Sequence, residues 1–142
     1  MNQSIRRLIA LCGFVASIGV MSGFAALAQA PDQNAPAAKQ LFQSDLKGMT
    51  GQEALVFHVE FAPGQSLPWH MHPGGHELVY GLEGTFVIEE QNGKKVSVKT
   101  GDVAHVDPDI GHTARNEGAI VARALVVRLK DKGKPIATSF QR

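Results

Sequence analysis

From residue 53 to residue 61 the chain alternates between two kinds of position. Leu55, Phe57, Val59 and Phe61 are interleaved with Val56, His58 and Glu60, and Pro63-Gly64 closes the run. A period of two predicts a strand with one buried face. Further runs predict strands over 76–82, 85–91, 95–99, 103–106 and 120–129. Asn92-Gly93 lies between two of them and predicts a type I′ hairpin turn. Turn residues recur roughly every ten positions, and no long stretch carries a helical period. The pattern predicts an all-β sandwich or small barrel. Residues 41–51 suit either a short helix or an edge strand. Residues 29–40, rich in Ala, Pro, Gln and Asn, suit a flexible leader. Residues 131–142 are charged and turn-rich, and are expected to form a surface tail.

The first thirty residues follow another pattern. Arg6-Arg7 precede an apolar and small-residue run over 8–27, which ends in Ala-Leu-Ala-Gln-Ala. That is the layout of a cleaved secretory signal. Cuts after Ala28 and after Ala30 both fit, and Pro31 disfavours the second. A retained membrane anchor is the alternative, but three glycines and two serines dilute the run. A lipoprotein signal does not fit, because Leu11 precedes Cys12 where a small residue is required. Residues 4–9 carry a faint likeness to a twin-arginine signal without its full pattern. The expected organisation is a signal over 1–28, a leader and N-terminal segment over 29–52, a barrel over 53–130 and a tail over 131–142.

Export changes the charge balance. The whole chain has 14 Lys+Arg against 13 Asp+Glu. Cleavage after Ala28 removes only Arg6 and Arg7 from that count, leaving 12 against 13. With no basic excess to hold a phosphate backbone, nucleic acid is an unsuitable partner. The single cysteine leaves with the signal, so no disulfide framework supports the exported domain.

The chemistry concentrates in the stretch GQSLPWHMHPGGHELVYGLEG, residues 64–84. It holds three of the six histidines in the chain. His70 and His72 are two apart on a predicted strand, so both side chains leave one face. Pro73-Gly74-Gly75 then turns the chain, and the returning strand carries Glu77. Imidazoles and one carboxylate suit a divalent first-row metal. His112, after the turn 107–111, is the candidate distant ligand.

The stretch matches without a gap the first motif of the cupin family, Gly64-x5-His70-x-His72-x4-Glu77-x6-Gly84. Gly101, His112 and Asn116 have the spacing of the second motif, so the chain resembles a small single-domain cupin. Asp107 stands where that motif has proline, and Asp109 where it has glycine. Those departures concern the path of the turn. The resemblance implies a single jelly-roll β-barrel holding one metal on His70, His72, Glu77 and His112. Manganese, iron, nickel, copper and zinc are all compatible. It also implies a homodimer.

Other residues are read as supporting. Gly64, Gly84 and Gly101 are turn glycines. His58 is an ordinary surface or core histidine, and so is His105 unless it lines the pocket, where similar cupins carry an aromatic. His76 alternates away from Glu77, outside the ligand set. Trp69, Tyr80 and Phe86 are expected to pack the barrel rather than wall a substrate, and Arg115 and Arg123 are exposed arginines able to clamp an anion. The functional expectation is an exported metal-dependent enzyme, dioxygenase-like or of other oxidoreductase or lyase chemistry. Its substrate is a small oxygenated compound, with no membrane contact after signal removal. The alternative is a non-catalytic module that binds metal or a small ligand.

Overall fold

The computed structural model describes residues 35–142. The expected export signal lies outside the described residues. The described chain contains ten strands and no helix: β1 (Ala37–Asp45), β2 (Gln52–Phe61), β3 (His70–Met71), β4 (His76–Glu83), β5 (Thr85–Glu90), β6 (Lys95–Lys99), β7 (Val103–Val106), β8 (His112–Arg115), β9 (Ala122–Asp131) and β10 (Thr138–Ser139). They form two five-stranded sheets, β1-β2-β9-β4-β7 and β10-β3-β8-β5-β6. Every pairing is antiparallel. The alternation anticipated an all-β sandwich or small barrel, and the two antiparallel sheets form the jelly roll that the cupin resemblance implied.

The inner faces of the two sheets enclose the core. Val59 and Phe61 of β2, Val79 of β4, Phe86 and Ile88 of β5 and Val126 of β9 belong to one buried cluster. The rings of Phe61 and Phe86 stack with centroids 5.5 Å apart, which ties the two sheets together. Burying a phenylalanine side chain contributes about 2–3 kcal/mol. Phe86 therefore packs the barrel, as expected.

Three local outcomes differ from expectation. The leader ends early, because β1 begins at Ala37 and pairs with β2 from Ala37 opposite Glu60 to Asp45 opposite Glu53. The free edge of β2 supplies backbone partners to a segment that has no buried face of its own. The segment 41–51 is thus an edge strand followed by a turn. Second, the hairpin after β5 is not type I′. Gly93 has φ +87°, while Asn92 keeps a negative φ. The Gly93 N–H donates to the Glu90 carbonyl at 2.9 Å, and the Lys94 N–H donates to the Asn92 side chain at 2.8 Å. That is a type I turn closed by a left-handed glycine, the usual three-residue alternative. Third, the tail is not free surface. Its β10 pairs with β3, Thr138 opposite Met71 and Ser139 opposite His70.

The turn before β8 resolves the irregular second motif. Asp109 is the single non-glycine residue at positive φ among the described residues, with φ +62°. Aspartate tolerates this region better than most side chains. Its carboxylate accepts the Gly74 N–H at 3.0 Å, and its own N–H donates to the His72 carbonyl at 3.2 Å. The loop that carries His112 is thereby fastened to the loop that follows His72.

Candidate metal centre

Strand pairing brings the distant histidine to the first motif. His70 on β3 lies directly opposite His112 on β8. The three rings converge, with centroids 4.4 Å apart for His70 and His112, 4.9 Å for His70 and His72, and 5.0 Å for His72 and His112. Glu77 of β4 enters from the other sheet. One of its oxygens lies 3.0 Å from His72 Nε2, and the other 3.8 Å from His112 Nε2. His72, Glu77 and His112 are buried, at 3%, 6% and 1% exposure. His70 is partly open. Burying two imidazoles and a carboxylate, with a third imidazole half-buried beside them, requires compensation.

Backbone carbonyls orient all three rings. Nδ1 of His70 faces the Pro68 carbonyl at 2.8 Å, Nδ1 of His72 the Ile136 carbonyl at 2.6 Å, and Nδ1 of His112 the Ile110 carbonyl at 2.9 Å. A carbonyl only accepts, so each Nδ1 carries the hydrogen and each Nε2 keeps a lone pair. The buried Nε2 atoms of His72 and His112 have no hydrogen-bond partner, and Glu77 Oε2 meets the Arg128 guanidinium as an ion pair. Two acceptors therefore face each other at 3.0 Å, between His72 and Glu77, with no proton between them. A shared cation relieves that conflict. Metal–donor bonds of about 2.1 Å at right angles place neighbouring donors about 3.0 Å apart. The donor set and its spacing fit a first-row divalent metal.

The electrostatics point the same way. Burial, then the neighbouring His112 ring, pushes His70 down to about 4. Burial also holds His112 below the ordinary imidazole value, although Glu77 works against it. Both rings stay neutral, the form that binds metal. Burial alone would raise the Glu77 carboxyl, but the His72 ring beside it and the Arg128 guanidinium outweigh burial and bring it down to about 2.

Arg128 is the residue that sequence reasoning missed. It sits opposite Glu77 in the pairing of β9 with β4, and its guanidinium ion-pairs with the Glu77 carboxylate. Its side chain is 12% exposed, and its Nε is buried without a hydrogen-bond partner. The signal was present in the strand. Arg128 has the same parity as the inward Ala122, Ala124 and Val126, so alternation alone aims it into the barrel. Arg115 and Arg123 point elsewhere. Arg115 pairs with Glu89 and Glu117, and Arg123 with Glu60 and Glu83.

A cavity of about 370 Å³ opens beside the group, lined by Leu67, Pro68, Trp69, His70, Arg128, Ala137 and Ser139. Trp69 walls this cavity rather than packing the core. Tyr80 does neither, being 44% exposed on β4. His105 is also outside, because it pairs opposite Leu78 while the adjacent Ala104 and Val106 take the buried positions. The tail supplies one wall. Phe140 lies against Trp69, with centroids 6.3 Å apart, and a Cβ on Gly111 would meet its ring at 2.5 Å. Gly111, two residues beyond Asp109, leaves room for that ring.

Comparison with known proteins agrees with this architecture. An oxalate-binding protein of Thermotoga maritima is 35% identical over 72 residues, which cover 51% of this chain and 59% of that protein. The chain thus spans little more than half the length of that relative. A solved structure of a predicted oxalate decarboxylase from T. maritima superposes with a TM-score of 0.51 at 28% identity, covering 68% of this chain and 92% of that one. A Klebsiella pneumoniae protein with a double-stranded β-helix domain superposes with a TM-score of 0.63 at 21% identity, over 80% of this chain and 90% of that one. This last likeness concerns the fold alone. The family model for the cupin domain matches residues 57–128, the span that contains both motifs and the whole His/Glu group. The chain belongs to the cupin family.

Proposed function

We propose that the protein is an exported mononuclear metal cupin that holds a small oxygenated carboxylate on the metal and on Arg128. His70, His72, Glu77 and His112 are the proposed ligands. Charge balance is the observation that carries this reading. Neutral imidazoles, one carboxylate, one guanidinium and a divalent cation together leave the pocket at about +2. A buried site of that charge favours an anion, and the cavity lies between His70 and Arg128. The partnerless Arg128 Nε is a donor suited to a carboxylate oxygen.

The metal, when bound, supplies Lewis-acid polarisation of a chelating substrate or, if redox-active, activation of dioxygen. The chain does the rest. Arg128 orients the carboxylate, while Trp69 and Leu67 present apolar surface that limits water around it. Glu77, held ionised, keeps its oxygens available to the cation.

The non-catalytic alternative has one observation in its favour. Among the residues that line the cavity, none is a carboxylate, and Ser139 is the single hydroxyl. A proton donor for a lyase step is thus poorly provided. Calorimetry with oxalate and other small dicarboxylates, followed by product analysis under oxygen, separates the readings. Binding with turnover supports the enzyme, and binding without turnover the module. No binding of any carboxylate to metal-loaded protein contradicts both.

A further inference from the structure

We propose a second metal site, on the outer face of the sheet, formed by His76, His105 and Asp107. β4 and β7 pair with Glu77 opposite Val106 and Leu78 opposite His105. Glu77 and Val106 face the barrel interior. Alternation therefore sends His76, His105 and Asp107 to the opposite, solvent side. All three are exposed.

Their donor atoms converge. His76 Nδ1 lies 3.0 Å from His105 Nε2, and that same Nε2 lies 3.8 Å from Asp107 Oδ1. All three donors lie within 4.8 Å of one another. A hydrogen bond between the two rings accounts for the first distance alone. An ion contact between His105 and Asp107 accounts for the second separately. A cation accounts for both. Zinc–nitrogen bonds of about 2.0–2.1 Å in a tetrahedron place donors about 3.3 Å apart, between the two observed separations.

Two imidazoles and one carboxylate suit zinc, copper or nickel better than manganese. Three protein donors leave a fourth, solvent-facing position for water. The site is independent of the buried group, since it uses none of the same side chains and opens on the other side of β4.

The test is zinc content after equilibrium dialysis at micromolar free zinc, for the full chain and for His105→Gln. The wild type should hold about one zinc ion per chain more than the variant. The buried donors are present in both proteins, so any failure of that group to take zinc lowers both totals alike and leaves the difference intact. Circular dichroism checks that the variant is folded. Should His105→Gln fail to fold, Asp107→Asn replaces it, with weaker zinc binding at the outer site expected. Equal zinc in the wild type and a folded His105→Gln, or unchanged zinc affinity in Asp107→Asn, would overturn the proposal.

Discussion

The Ile136 carbonyl accepts a hydrogen bond from His72 Nδ1 at 2.6 Å, across 64 residues of chain. The final segment thus sets the tautomer and tilt of a buried imidazole in the candidate metal centre. Outer partners of this kind typically change metal affinity by about 10–100-fold when removed. Ending the chain after Pro135 should weaken metal binding within that range, as measured by chelator competition. The strands of the barrel should survive, because β10 packs at the sheet edge. Unchanged affinity in the truncated chain would show that the tail has no part in holding His72.

Arg128 and Glu77 form a buried pair, and breaking such a pair leaves an uncompensated charge. Arg128→Met should destabilise the metal-free protein by about 3–5 kcal/mol. With metal bound, the cation itself balances Glu77, so the loss should be smaller. Urea unfolding with and without chelator reads the difference. Carboxylate affinity should also fall in the metal-loaded variant. An equal loss of stability in both states would mean that Glu77 does not meet the metal.

The pH dependence follows from the buried imidazoles. An unperturbed histidine protonates near pH 6.5, but His70 is lowered to about 4 and His112 is also lowered. Between about pH 6.5 and 4 the unfolded chain binds protons that the folded chain refuses, so metal-free stability falls as pH drops through that window. Glu77, lowered to about 2, acts in the same direction at lower pH. Its contribution is complete above the ordinary carboxylate range and is lost as pH falls toward about 2. Proton competition for the metal should likewise set in well below pH 6.5. A pH series of urea midpoints and of retained metal tests both, and metal loss centred at pH 6.5 would contradict the second.

Much of the barrel was legible because its strands are long enough to show a period. β6 and β7 begin and end at the residues anticipated, Lys95–Lys99 and Val103–Val106. The strand read through His70 and His72 ends at Met71, and β10, with two residues, is too short for any alternation to register. The role of the tail depends on contacts that no local pattern encodes, such as Phe140 against Gly111. Arg128 and His105 are different. Each sits in a strand whose parity was readable, and parity sends Arg128 inward and His105 outward. The four-residue group was legible through motif spacing. The tautomers that aim it depend on the carbonyls of Pro68, Ile110 and Ile136.

Export is tested on protein from its native envelope. Arg6-Arg7, the apolar run and Ala28 predict a mature chain that begins at Gln29. Intact mass should show that start, whereas membrane-embedded protein retaining Met1 would contradict it.

The central claim is that one metal is held by His70, His72, Glu77 and His112. Manganese stoichiometry by electron paramagnetic resonance tests it most directly, because manganese binds an open three-donor surface site most weakly among these metals. The wild type should hold about one manganese ion per chain, and His76→Ala should hold nearly as much. His70→Ala and His112→Ala, though altered far apart in sequence, should lose it to a similar degree, and Glu77→Gln should bind more weakly. Retention of full manganese by folded His112→Ala, or its loss from His76→Ala but not from Glu77→Gln, would contradict the account.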